Sequence, residues 1–522
     1  MKKLITTLTI LLTLTLTACH TTPHTRIVAD HPTPLVDSTY TRTADPLTYT
    51  DLAYTEWKSP AVAPQPPKPH TVLIYMNGSD LESETGAGTA DLAELCATRI
   101  DEAAANVVIF TGGAYRWHTP AISATECEIS TLQNGKIASV AKVGDRDMGN
   151  AGTLAAFIKF ARAAYPAERT SLILWDHGGG SIAGYGADEK FDNSALTLRE
   201  LEYAFAKSGL AEAPLALLGF DACLMATVET AIIAAPYAEL LVASESLEPG
   251  DGWDYTALRT LNDSTLDTAS LAVAIADAYL AASLSSPEEI SVSVTRTARA
   301  AGVMGALGSL AERCAADLSS GNNGGFAALT SARRGTKSFG ESALDTSCDM
   351  VDIAHLAETL RPRYPTESEN VFTALSAAVI YNAHNSDIAL GGLSAYHVFG
   401  GAPDAHHTLP VYAALQMSDA YTRYQIAFAD RLLRADALLY SPAPQHKTTL
   451  FGTRATLYKV AATHLGTLCA TACTVNGERA EALVYRPNAA PQQLLGYRKS
   501  DGYLLQKGYE KFTDHDRVVI GE

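Results

Sequence analysis

After its first seventeen residues the sequence has no apolar run suited to crossing a bilayer. Positive charge is also in short supply. Lys and Arg number 39 against 57 Asp and Glu, a formal net charge of −18. That balance argues against a nucleic-acid surface and favours basic partners or plain solubility. The HExxH signature of a helical zinc hydrolase is missing, and no G-x-S-x-G elbow surrounds Ser181. No internal repeat is evident, and 522 residues are too many for one small core, so two or more structural units are expected. Cysteine is sparse, with eight in the chain.

What is present begins at the N-terminus. Met1-Lys2-Lys3 is basic, Leu4–Thr17 is apolar but short for a bilayer, and Leu16-Thr17-Ala18-Cys19 resembles a bacterial lipobox. Residues 1–18 therefore read as a lipoprotein signal peptide, with Cys19 lipidated as it is removed. The expected location is the bacterial cell envelope, lipid-anchored and facing the periplasm or exterior. His20 after the cysteine, where no aspartate stands, favours the outer membrane. Residues 19–69 are rich in Thr and Pro, close on Pro64-Gln65-Pro66-Pro67-Lys68-Pro69, and read as an extended tether.

Order is expected from Thr71. Thr71–Met76, Asn106–Phe110, Ser171–Trp175, Leu215–Phe220 and Leu240–Ser244 have the length and β-branching of buried strands. Helical spacing falls between them at Asp91–Ala105, Gly152–Ala164, Leu196–Ser208 and Ala226–Ala234. A βαβα series of this kind implies α/β architecture with a mostly parallel sheet covered on both faces. Further helices are expected at Leu266–Ala282, Ala298–Asp317, Val351–Leu360, Val371–His384 and Val411–Ala437, with strands at Ile290–Val294 and Leu393–Phe399. Residues 438–522 show short alternating runs and read as a small β-rich appendage.

Two strand ends carry chemistry. Ser171–Trp175 runs into Asp176-His177-Gly178-Gly179-Gly180, and Leu215–Phe220 into Asp221-Ala222-Cys223. A thiol at the carboxyl end of a buried strand is where open α/β sheets present reactive groups. A free thiol titrates near pH ~8.5, so it needs help to ionise, here expected from the N-terminus of the following helix. An imidazole at the neighbouring strand end makes the pair a cysteine hydrolase: Cys223 as nucleophile, His177 as general acid and base. Gly178, with no side chain, and Cys223 each offer a backbone N–H for an oxyanion hole. The histidine precedes the thiol, which is the reverse of the usual amidotransferase order. Cys96, Cys127, Cys314, Cys348, Cys469 and Cys473 leave 15 possible pairings. Cys469 and Cys473 fit a local disulfide or two plain thiols better than a zinc site.

His177-Gly178 and Asp221-Ala222-Cys223 resemble the two signature motifs of the clostripain family of cysteine peptidases, in the caspase, legumain and gingipain clan. Gly78-Ser79-Asp80-Leu81-Glu82-Ser83, Met148-Gly149 with Thr153-Leu154, Leu174–Gly178, Gly219–Met225 and Ser244–Trp253 resemble family blocks in family order. The likeness runs from about Thr71 to Ala437, so residues 70–437 are expected to be the peptidase domain. It implies a caspase-like three-layer sandwich with helical additions, and endopeptidase activity after Arg or Lys through a thioester acyl-enzyme. By the same resemblance Asp221 is the floor of the substrate pocket, a carboxylate suited to a guanidinium or ammonium. Glu245, Glu248, Asp251 and Asp254 are expected on the rim. Family members are matured by cleavage between the His and Cys strands, and Lys190 is the basic residue of that loop, so self-cleavage is expected after it. No cofactor is required by this reading, although calcium stimulation occurs in the family. The expected partners are peptides with Arg or Lys at P1, and the membrane through the lipid. The alternative is a catalytically silent surface lipoprotein of the same fold that grips peptides in an acidic cleft.

Overall fold

The computed structural model describes residues 57–436 except 264, 285, 320–322, 341–348 and 400–401, and beyond them the backbone of strands between residues 446 and 521. The strands up to residue 436 are β1 (Lys68–Asn77), β2 (Ala105–Gly112), β3 (Glu128–Gln133), β4 (Lys136–Lys142), β5 (Ala167–Trp175), β6 (Tyr185–Asp188), β7 (Ser194–Leu196), β8 (Leu215–Asp221), β9 (Ala238–Ala243), β10 (Ser291–Arg296), β11 (Ser338–Phe339), β12 (Met350–Asp352), β13 (Val379–His384) and β14 (Ser394–Tyr396). Nine of them form one sheet in the order β13-β10-β9-β8-β5-β1-β2-β3-β4. Its centre, β9-β8-β5-β1-β2, is parallel throughout. Antiparallel strands finish both edges, β10 and β13 on one side and β3 and β4 on the other.

The parallel strands are buried on both faces, which is why they read as unbroken apolar runs rather than alternating ones. In β1, Val72, Ile74 and Met76 face one core and Leu73 and Tyr75 the other. The first core is closed by α1 (Ala87–Ala97), α6 (Thr268–Ser283) and the 3-10 stretch Tyr255–Asn262. The second is closed by α2 (Ala151–Ala164), α4 (Leu198–Lys207), α5 (Val228–Ala234) and α7 (Ala300–Ser319). The short α3 (Gly180–Ala183) follows the histidine. The outer helices are α8 (Asn323–Gly335), α9 (Ile353–Leu360), α10 (Pro365–Ala378), α11 (Ala402–Ala414) and α12 (Asp419–Asp436). The result is the expected three-layer sandwich with helical additions. Past residue 436, strands between His446 and Gly521 make a six-stranded antiparallel sheet.

Several local expectations are corrected. Order starts before Thr71: the buried Trp57 ring stacks on Phe110 at 6.0 Å, and the Gln65 N–H donates to Ala164 O at 2.8 Å. The C-terminal part of the expected tether therefore lies on the body of the domain. The helix expected over Asp91–Ala105 stops at Ala97, and Arg99 takes a left-handed φ of 53°. The one expected over Val371–His384 ends at Ala378, where Val379–His384 becomes the edge strand β13. Val411–Ala437 is two helices, parted near Gln416 at φ 52°. The hairpin β3–β4 was not expected at all. Among the described residues no helix is long and apolar enough to cross a membrane.

Candidate active site

Register brings His177 and Cys223 together. β5 and β8 pair in parallel with Trp175 opposite Asp221, and the Asp176 N–H donates to Asp221 O at 3.3 Å just beyond. His177 and Cys223 thus each stand two residues past one matched pair. Adjacent strands lie about 4.8 Å apart, so both leave the same end of the sheet side by side. The main chains touch immediately afterwards. A Cβ on Gly178 would fall 2.0 Å from Cys223 O and 3.0 Å from Met225 Cγ. Glycine is required at 178 by close approach, since its φ is not in the left-handed region. Gly178→Ala must push the histidine and cysteine segments apart, and we expect it to cost about 1–3 kcal/mol, as overpacking does. A thermal melt unchanged from wild type would contradict this contact.

The histidine is held by a residue that the sequence reading quoted without assigning a role. Asp80 follows the end of β1, the strand next to β5, and its Oδ1 accepts from His177 Nε2 at 2.6 Å. Burial works against a charged imidazole here. The hydrogen bond to Asp80 and the charges of Asp176 and Asp80 outweigh it, so the His177 pKa stands above its ordinary value. The reciprocal effect holds Asp80 low, with the His177 bond its largest cause. The carboxylate is itself placed by a short π-helix, Leu81–Thr85, which the buried Glu82 ties down through Thr89 N and Oγ1 and His118 N. Asp176, fully buried behind the histidine, accepts from Asn77 Nδ2 and Ala187 N, and burial lifts its pKa to about 6.

The sulfur has a donor of a different kind from the one expected. Helix α5 begins only at Val228, and its first turn is capped by Thr227 Oγ1 accepting from Thr230 N. Leu224–Thr227 separate it from the thiol, so help from that helix end is not what the geometry provides. Instead the chain turns at Leu224 through a left-handed φ of 64° and pairs with the segment after β9, Leu224 N to Ser246 O and Ala226 N to Ser244 O. That segment then returns over the thiol, and the Glu248 N–H donates to Cys223 Sγ at 3.2 Å. The left-handed Leu224 is a strained backbone position beside a reactive group, a common arrangement at functional sites.

The acids expected nearby separate into distinct environments. Asp221 is buried; its Oδ1 accepts from Trp253 N at 3.1 Å and its Oδ2 from Tyr255 Oη at 2.9 Å. Burial, only partly offset by these bonds, raises its pKa to about 7. Glu248 has both carboxylate oxygens closed off from solvent, and its pKa is pushed up by burial and then by Asp221. Asp91, on α1, accepts from Trp175 Nε1 at 2.6 Å and is raised to about 9, by burial first and Asp221 second. Asp251 is exposed, and Asp254 caps the 3-10 stretch through Thr256 N. Glu245 is not on the rim. It is buried facing Asp352, with its Oε2 accepting from Gly392 N.

The Gly178 N–H is spared by the β6–β7 hairpin, whose bonds to this segment run from Gly186 N to His177 O and from Gly179 N to Gly184 O. Lys190 lies on the connection between β6 and β7, its Nζ donating to Asp145 Oδ1 and to Ala124 O, with 13% of the side chain exposed. Neighbouring Glu189 accepts from Ser83 and Tyr115. Cys96, Cys127 and Cys314 form no disulfide, while Cys19, Cys348, Cys469 and Cys473 lie outside the described residues. Among the described residues no group of three or more His, Cys, Asp or Glu side chains is arranged to hold a metal.

Comparison with known proteins agrees with this geometry. The sequence model of the clostripain family, Peptidase C11, matches residues 74–402. Among solved structures, a secreted C11 cysteine protease from Bacteroides thetaiotaomicron in complex with an irreversible peptide inhibitor is 15% identical, with a TM-score of 0.51 over 67% of this chain and 99% of that one. A second structure of a secreted C11 cysteine protease from the same organism, "iotapain", is 17% identical, with a TM-score of 0.51 over 67% of this chain and 100% of that one. No curated protein matches the chain. The structural likenesses establish the caspase-like fold, and the family match, which spans both strand ends and the segment returning over the thiol, establishes the chemistry class: this chain belongs to the clostripain family and is a cysteine peptidase.

Proposed function

We propose that the chain is an envelope-anchored endopeptidase cleaving after Arg or Lys, with Cys223 as nucleophile and His177 as its acid and base. The supporting observation is the matched exit of the two residues from β5 and β8, with Gly178 packed on the Cys223 carbonyl. Cys223 Sγ, as thiolate, attacks the scissile carbonyl carbon, and the carbonyl oxygen takes the negative charge between the Gly178 and Cys223 N–H groups. With Nε2 occupied by Asp80, His177 uses Nδ1 to protonate the leaving amine as the C–N bond breaks. The thioester is then hydrolysed by a water that gives its proton back to the same nitrogen.

Basic preference follows from the carboxylates beside the thiol, Asp221 foremost, since a desolvated acid rewards a cationic side chain. Burial holds Asp221 near a pKa of about 7. A cationic P1 side chain favours its ionised form, so kcat/KM on Arg or Lys reporters rises as pH passes upward through 7, and on neutral reporters it does not. A positional-scanning fluorogenic library at P1, repeated across pH, tests both statements. Equal rates on acidic, neutral and basic P1 residues would refute them.

Maturation by a cut after Lys190 must first free that side chain, because Asp145 and the Ala124 carbonyl hold it. Asp145→Asn therefore processes faster than wild type, and Cys223→Ala not at all. Intact-mass spectra over a time course decide, and one uncut chain in every sample would end the proposal. Anchoring through Cys19 is supported by the lipobox and agrees with the secreted nature of the two Bacteroides proteases. Cys19→Ser should move the protein from the membrane to the soluble envelope fraction. Calcium stimulation is tested by comparing rates with added calcium and with EDTA.

A further inference from the structure

The two acids nearest the thiol are not equivalent. Asp221 has a protein donor on each oxygen, the Trp253 N–H and the Tyr255 hydroxyl. Glu248 has no donor within hydrogen-bond distance: both of its carboxylate oxygens are shielded from water, and the groups that bear on them are the Trp253 side chain and the Asp221 carboxyl. Two further polar atoms in the same region are also shielded and have no partner within hydrogen-bond distance, the Trp253 indole Nε1, which bears on Glu248, and the Tyr279 hydroxyl, which bears on Ser244. Tyr279 is held strongly protonated, by burial first and then by the charges of Glu248, Cys223 and Asp221, with Ser244 opposing them. A buried carboxyl without a partner is costly, and such groups in a folded protein call for an explanation.

The position of Glu248 supplies one. Its own backbone N–H bonds the Cys223 sulfur at 3.2 Å, so the residue is anchored directly beside the thiol. From the geometry we infer that Glu248 is the carboxylate that pairs with the P1 guanidinium or ammonium, while Asp221, already satisfied, forms the fixed wall behind it. The Tyr279 oxygen is available to accept one of the remaining N–H groups of an arginine. A guanidinium carries five donors in a planar fork, more than one carboxylate uses, so the site takes Arg in preference to Lys. This inference rests on the basic-P1 reading above and assigns its contact to a different residue.

The test uses full-length protein and three reporters that differ only at P1, carrying Arg, Lys or citrulline, the neutral isostere of Arg. The quantity read is the ratio of kcat/KM for Arg to that for citrulline. It is internal to each variant, so a reduced folded fraction cancels. Glu248→Gln is expected to lower that ratio roughly 30-fold or more, the size of a lost bond between charged groups. Glu248→Asp, which keeps the charge on a shorter arm, should recover part of it. Tyr279→Phe should lower the Arg to Lys ratio. A wild-type Arg to citrulline ratio near one would overturn the basic-P1 reading itself. A large wild-type ratio left unchanged by Glu248→Gln, but lost in Asp221→Asn, would keep that reading and overturn the assignment to Glu248.

Discussion

Cys223→Ala is expected to cut peptide hydrolysis by about ten-thousand-fold or more, the usual scale for removal of a covalent nucleophile. No other described thiol can take its place. Cys127 and Cys314 are buried, and Cys96 is partly buried. Burial raises all three thiol pKa values, that of Cys127 to about 12, so they hold almost no thiolate at neutral pH. Cys223 stands at the carboxyl end of β8 beside His177, with the Glu248 N–H on its sulfur. The substitution deletes one atom at a half-buried position and leaves the Gly178 contact and the Leu224 turn in place, so the fold should survive. Reporter hydrolysis above a hundredth of the wild-type rate, in protein with an unchanged circular dichroism spectrum, would show that the sulfur does not carry the reaction. Cys223→Ser gives a second reading: it restores an oxygen but not a thiolate, and should stay near the alanine level.

How much of this was legible in sequence follows from how local each signal is. The five parallel strands are buried on both faces, so each is an unbroken apolar run that needs no partner to be recognised. β8 and β5 run into Cys223 and His177 in the same way, and β5–β8 adjacency brings the pair together. The β3–β4 hairpin carries one local signal: Asn134-Gly135, with φ of 50° and 68°, is the two-residue turn that such hairpins prefer. β13 had almost none. All six of its residues are half-buried, so it shows no alternation, and the helical spacing of α10 runs straight into it. Asp80 and Glu248 were hidden for a topological reason. Asp80 meets His177 across 97 residues, because β1 is inserted between β2 and β5 in space but precedes both in the chain. Glu248 reaches Cys223 because the chain after β9 doubles back over the β8 end, and nothing in the composition of Ser244–Trp253 says which of its backbone N–H groups meets the sulfur. The thiol's donor was misassigned to the α5 terminus because the four residues between them read as continuous with the helix.

Asp80→Ala should lower kcat/KM about a thousand-fold, and the pH profile should say why. An acid that orients a catalytic histidine and supports its charge is worth up to about 10⁴ in a serine-type triad. Here Asp80 is 42% exposed on its side chain, so solvent tempers the effect. Two opposing influences set the state of His177. Burial disfavours the imidazolium, and the Asp80 bond, with the charges of Asp176 and Asp80, more than restores it. Removing Asp80 leaves burial opposed only by Asp176, so the histidine pKa must fall. The proton delivered to the leaving amine is the one at stake, and its loss defines the alkaline limb of the activity profile. That limb therefore moves to lower pH in Asp80→Ala and in Asp80→Asn, by the same direction in both. The two variants differ in the rate at the optimum. Asn keeps a side-chain oxygen that can accept from Nε2, so it should recover part of the orientation but none of the charge. A merely structural role for Asp80 would lower activity at every pH and leave the limb where it stands. A profile unmoved in both variants would mean that the 2.6 Å contact is incidental to the chemistry, and that the histidine is held by its strand end alone.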